Sequence, residues 1–101
     1  MFVNDCLNVN EKGHLTIGGC DTLELAKEFG TPLYVMDEDT IRNTCKSYVN
    51  SIKTHYDGKG LPMYASKALS CKALVQLADS ENMGLDVVSG GEIYTALQAG
   101  F

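Results

Sequence analysis

Leu61-Pro62-Met63-Tyr64-Ala65-Ser66-Lys67 and, further on, Gly84-Leu85-Asp86-Val87-Val88 read as two strands. Between them Ser70 can cap a helix carrying Ala73, Leu74, Leu77 and Ala78 on one side. A strand, a crossover helix and a second strand imply parallel pairing, because antiparallel neighbours need only a tight turn. Another helix is expected from Gly91 to Ala99. The strand-helix alternation predicts an α/β fold, with parallel strands inside and helices packed outside.

The same pattern extends upstream. Pro32 introduces Leu33-Tyr34-Val35-Met36, a short apolar run that predicts a strand. A long helix is expected from about Asp37 to Asp39 onward, because Ile41, Cys45, Tyr48, Val49, Ile52 and Tyr56 fall on one helical face. Asp57-Gly58-Lys59-Gly60 is the turn that ends it. Before this, Asp21 can cap a helix with Glu24 at capping-box spacing and Gly30 at its end. The first twenty residues predict short strands around the turn Asn10-Glu11-Lys12-Gly13, with His14-Leu15-Thr16-Ile17 preceding Gly18-Gly19. The alternation has no natural stop, and another strand is expected at Phe101.

Bulk properties narrow the function. The chain has 101 residues, 45% of them apolar, and a net charge of −5 without a basic cluster. Nucleic acid and anionic membranes demand concentrated Lys and Arg, so neither is the expected partner. No apolar run approaches the roughly 20 residues of a membrane span. The start, Met1-Phe2-Val3-Asn4-Asp5, lacks the pattern of a signal peptide. A cytoplasmic protein is expected. Cys6, Cys20, Cys45 and Cys71 are spaced too irregularly for a metal or redox motif and read as free thiols.

Three features could carry chemistry. Strand alternation places Leu61, Met63, Ala65 and Lys67 on one face and Pro62, Tyr64 and Ser66 on the other. Lys67 then lies at the C-terminal end of its strand, the end where parallel barrels build active sites. Partly desolvated there, its amine would be nucleophilic; alternatively it is a solvated strand-end lysine. Gly84, Asp86 and Val88 share a face, so Asp86 projects beside the strand of Lys67. It could stabilise a cationic nitrogen, or it could form a structural ion pair. Ser89-Gly90-Gly91-Glu92 could admit a phosphate at a helix start, but Ser89 and Glu92 also match the S-x-x-E capping box.

Tyr64-Ala65-Ser66-Lys67-Ala68 and Gly84-Leu85-Asp86-Val87-Val88-Ser89-Gly90-Gly91-Glu92-Ile93-Tyr94, through Ala99-Gly100-Phe101, resemble the diaminopimelate decarboxylase family. These are fold-type III pyridoxal-phosphate enzymes related to alanine racemase and to the ornithine and arginine decarboxylases. The likeness runs from about Gly13 to the last residue and includes Thr31-Pro32-Leu33-Tyr34-Val35 with Asp37-Glu38-Asp39. Leu69 departs from it, since many relatives have Asn there.

The resemblance implies the N-terminal part of a (β/α)8 barrel of the alanine racemase type, a fold that takes about 250 residues when complete. Residues 1–20 would be the first strands of a β-domain, and residues 21–101 the first part of the pyridoxal-phosphate-binding barrel. It implies that Lys67 forms the Schiff base with pyridoxal 5'-phosphate, that Asp86 lies in the cofactor site, and that Ala65 is a small residue beside the cofactor. The implied reaction converts meso-2,6-diaminopimelate to L-lysine and carbon dioxide, in a homodimer. The phosphate-binding glycines, the acidic partner of the pyridine nitrogen and the substrate-reading residues would lie beyond residue 101. The 101 residues alone are therefore expected to be inactive. The alternatives are a non-catalytic pyridoxal-phosphate-binding barrel protein, a related decarboxylase of the ornithine or arginine type, and a free-standing α/β domain without cofactor.

Overall fold

The computed structural model describes residue 2 and residues 4–101, which form two compact units, Met1–Thr40 and Ile41–Phe101. In the first unit, β1 (Leu7–Val9), β2 (Leu15–Ile17) and β3 (Cys20–Asp21) form an antiparallel sheet in that order. Leu7 pairs with Ile17 and Val9 with Leu15, and Ile17 pairs with Cys20. The expected turn closes the first hairpin. Asn10 N donates to the His14 carbonyl at 2.9 Å, and the Asn10 side chain accepts from His14 N at 2.9 Å. Gly18, at φ 57°, makes the second turn. A Cβ there would collide with the Asp37 carboxylate, so only glycine fits this close approach.

Helix α1 (Thr22–Phe29) begins where the sequence predicts. Asp21 accepts from Leu23 N at 2.9 Å and Glu24 N at 3.4 Å, satisfying donors that an α-helix leaves unpaired in its first turn. Gly30, at φ 81°, ends it with its N–H on the Ala26 carbonyl.

The expected strand at Leu33–Met36 is not formed; these residues are irregular. Strand geometry requires a ladder partner, and among the described residues none pairs with this run. Leu33, Tyr34, Val35 and Met36 are all exposed, Tyr34 almost entirely. Helix α2 (Glu38–Tyr56) follows. Its start is held by Asp37, which accepts from Thr40 N at 2.8 Å and from Thr40 Oγ1 at 2.6 Å.

Along α2 the predicted apolar face is only partly covered. Cys45 is buried, and Ile41, Val49 and Ile52 are half-buried. Tyr48 and Tyr56 are exposed, although they belong to the same angular stripe. Helical spacing states which side chains share a face, not how much surface lies against it.

In the second unit β4 (Met63–Ala65) pairs in parallel with β5 (Gly84–Asp86), in the register Met63↔Gly84, Tyr64↔Leu85 and Ala65↔Asp86. Helix α3 (Lys72–Ser80) is the crossover, and α4 (Gly90–Gln98) follows β5. Both strands are shorter than expected. After Ala65 the chain tightens into a 3-10 turn, Ser66–Ala68, so Lys67 lies on that turn and not on the strand. At this turn the Ser66 hydroxyl donates to the Asp86 carbonyl of the neighbouring strand at 3.0 Å, a contact between residues 20 apart in sequence.

The helix cap expected at Ser70 is displaced by one residue. Cys71 is the N-cap of α3 without a side-chain hydrogen bond, and Ser70 Oγ is buried with no partner. The apolar core of this unit is Cys45, Val75, Ala78 and Ala96, with Val75 fully enclosed. Arg42 ties α2 to α3, donating from Nη1 to Glu81 Oε1 at 2.8 Å and to Ser80 Oγ at 2.9 Å.

Candidate active site

The C-terminal ends of β4 and β5 bring the sequence-predicted residues to one place along the ladder. Ala65 and Asp86 are direct register partners, and Lys67 follows two residues after Ala65. Met63, Ala65, Gly84 and Asp86 occupy alternating positions of one sheet face, as the alternation predicts. Gly84 is buried on it, and an added Cβ would stand 2.9 Å from Leu61 Cδ2 and 3.0 Å from Met63 Cγ. Leu61 and Met63 therefore cover Gly84, and Ala65 is the small residue of this face next to the turn that carries Lys67.

Lys67 and Asp86 are both exposed. Among the described residues no ion pair within 4.0 Å joins them. The structural ion pair considered for Asp86 is thus absent, and the two groups stand near one strand end without neutralising each other. A primary amine and a carboxylate so placed suit an aldehyde-bearing cofactor, because the amine can attack the aldehyde carbon and the carboxylate can stabilise positive charge on nitrogen.

The start of α4 is more heavily built. Ser89 Oγ accepts from Glu92 N at 3.2 Å and donates to Glu92 Oε2 at 2.9 Å. Glu92 Oε2 also accepts from Val88 N at 3.3 Å. This is the capping reading of S-x-x-E, with the carboxylate reaching back one residue beyond the cap itself. A phosphate at this helix start would meet a carboxylate already bound there, so the cap displaces the phosphate reading.

The Glu92 carboxylate makes one more contact that spacing did not predict. Ser66 Oγ lies 2.5 Å from Glu92 Oε1, and Ser66 is completely buried. Its single hydroxyl hydrogen is shared between Glu92 and the Asp86 carbonyl. The Ser66 hydrogen bond, then that of Ser89, hold the Glu92 carboxyl below the usual carboxylate range, while partial desolvation opposes them. The Val88 N–H and the positive charge of Lys67 add smaller effects in the same direction. Glu92 is 8% exposed, so its charge persists in a buried place because several donors surround it. The signal in the sequence was a hydroxyl, Ser66, on the strand face opposite Lys67, next to Pro62 and Tyr64.

In the first unit another carboxylate is similarly bound. Asp21 Oδ2 accepts from Asn10 Nδ2 at 2.8 Å and lies 2.8 Å from His14 Nδ1. Asp21 is an acceptor, so Nδ1 carries the hydrogen. The His14 contact is the chief reason that the Asp21 pKa falls to about 2. No nucleophile joins this group, and its geometry serves the α1 cap.

The four cysteines are free thiols, and among the described residues no group of three or more His, Cys, Asp and Glu could hold a metal ion. No helix among them is long and apolar enough to cross a membrane.

Comparison with known proteins extends this geometry. The chain is 52% identical over 104 residues to a diaminopimelate decarboxylase of Bacillus methanolicus, a match spanning 100% of this chain and 23% of the relative. It is 50% identical to the Bacillus subtilis diaminopimelate decarboxylase, with the same two coverages. A crystal structure of diaminopimelate decarboxylase from M. jannaschii in complex with L-lysine superposes with a TM-score of 0.85 at 38% identity, over 99% of this chain and 24% of that one. The described strands and helices thus share the fold of the N-terminal part of an alanine racemase-like protein. The chain spans about 23% of the length of the relatives it matches. The family described as pyridoxal-dependent decarboxylase, pyridoxal binding domain, matches residues 38–101, and with most of its length so matched the chain belongs to that family.

Proposed function

We propose that these residues serve, within the complete enzyme, the decarboxylation of meso-2,6-diaminopimelate to L-lysine and carbon dioxide. The observation that carries this reading is the place of Lys67, two residues past the end of β4 and its Ala65↔Asp86 pair, without an ion-pair partner among the described residues. The identity to diaminopimelate decarboxylases over the whole chain supports the branch of the family.

The pyridoxal phosphate that the family binds supplies an electron sink for the pair left when carbon dioxide departs. Lys67 would hold that group by its amine, which an exposed position leaves free to exchange with a substrate amine. Released from the cofactor, the same Nζ can carry a proton to or from the reacting carbon. Asp86, one strand over, would stabilise positive charge at the nitrogen that replaces the Lys67 amine. Ala65 would leave room for a flat ring at that end of the face, since its side chain is only a methyl group. Residues 1–20 would contribute to a β-domain and residues 21–101 to the barrel, in a homodimeric cytoplasmic enzyme.

A steady-state comparison on the complete enzyme tests the assignment. Carbon dioxide should be released from meso-diaminopimelate with a higher kcat/KM than from ornithine or arginine. A higher kcat/KM for ornithine would move the chain to another branch of the family.

A further inference from the structure

We propose that Glu92 is a positioning residue for Lys67 and acts on it through the Ser66 hydroxyl. This deepens the reading of Lys67 as the cofactor lysine and rests on it. The Glu92 carboxylate joins two separate pieces of chain: the 3-10 turn, through Ser66, and the segment leading into α4, through Val88 N and Ser89 Oγ. Ser66 is the residue before Lys67, and its hydroxyl also touches the Asp86 carbonyl at 3.0 Å. One buried hydroxyl therefore connects the backbone of both proposed site residues, Lys67 and Asp86, to one buried carboxylate.

The arrangement exceeds what a helix cap requires. A capping box is complete with Ser89 and Glu92 alone. The extra Ser66 contact places a polar pair in a buried position, where an apolar residue would pack without needing a partner. Such a pair fixes geometry, because a hydrogen bond to a charged acceptor is directional and strong when desolvated. What it fixes here is the 3-10 turn. Without it the strand ladder could continue through residue 66, and Lys67 would rotate onto the face dictated by strand alternation. The turn, and not the strand, aims the lysine.

The test uses the complete enzyme and four variants: Glu92→Gln, Ser66→Ala, the double variant, and Ser66→Thr, which keeps the hydroxyl. Four quantities are read: kcat, KM, the absorbance band of the lysine-bound cofactor, and the melting temperature of the cofactor-free protein. Glu92→Gln and Ser66→Ala should each lower kcat by about 100-fold, the loss expected from a misplacement on the order of 1 Å, with KM little changed. The band should shift in both, and the double variant should be no worse than the poorer single one, because the two act along one path. Ser66→Thr should recover most of kcat. An unchanged band and kcat in Glu92→Gln, or losses that multiply in the double variant, would overturn the proposal. So would a loss that merely follows a lowered melting temperature. If reductive trapping of the unmutated enzyme labels Lys67 while Glu92→Gln is indistinguishable from it, only the positioning role falls. If the label is on another lysine, both readings fall.

Discussion

Asp21 and Glu92 are two solutions to one physical problem, and they stand in different units of the molecule. Each is a carboxylate at the start of a helix, each accepts several hydrogen bonds, and each is held below the usual carboxylate range. Their partners separate them. Asp21 binds His14 and Asn10, residues of the adjoining hairpin, so its network closes on the structure that contains it. Glu92 binds Ser66, 26 residues away in sequence and next to Lys67. A depressed carboxylate is thus not by itself a functional mark. What distinguishes the functional candidate is a connection to a reactive group that the helix cap does not need.

The largest test of this contrast is chemical. Lys67→Ala in the complete enzyme should reduce turnover to the limit of detection, whereas Asp21→Ala should leave kcat essentially unchanged and lower only the melting temperature. A large kcat loss in Asp21→Ala, at a temperature where the variant is folded, would erase the distinction between the two carboxylates.

The next effects concern stability and sharpen where each unit is anchored. Val75 is fully enclosed, so Val75→Ala should cost about 1.5–3 kcal/mol, read from denaturant unfolding. In the first unit the sensitive point is a turn. Gly18→Ala places a Cβ at φ 57° against the Asp37 carboxylate, and the left-handed conformation alone costs about 1–2 kcal/mol. Unchanged stability in Gly18→Ala would contradict both the left-handed geometry of this turn and its close approach to Asp37.

The smallest expected effect is a pH dependence. The Asp21 pKa lies near 2 in the folded chain, below its unfolded value. The contribution of its hydrogen bonds is therefore fully present above about pH 4 and is lost as pH falls towards about 2. Asp21→Asn should flatten the melting temperature across that window, and an unaltered acid profile would remove Asp21 as its source.

Much of the fold was legible because its signals are local. The Asp21 cap, the Asn10 to Gly13 turn, the long helix from Glu38 and the parallel strands around Met63 and Gly84 each announce themselves within a few residues. What escaped depends on distant chain. Leu33–Met36 has strand composition, yet a strand exists only when another strand pairs with it. Tyr48 and Tyr56 lie on the right helical stripe but find no covering surface. At the candidate site, Lys67, Asp86 and Ala65 were proposed from resemblance and alternation. The 3-10 turn and the Ser66–Glu92 contact were not, because alternation assumes that the strand continues and no spacing rule links residue 66 to residue 92.

The most direct measurement of the central claim is reductive trapping of the complete enzyme with borohydride in the presence of pyridoxal phosphate, followed by peptide mapping. The account predicts pyridoxyl on Lys67, in the peptide containing Tyr64-Ala65-Ser66-Lys67-Ala68. Label on any other lysine, with Lys67 unmodified, would contradict it.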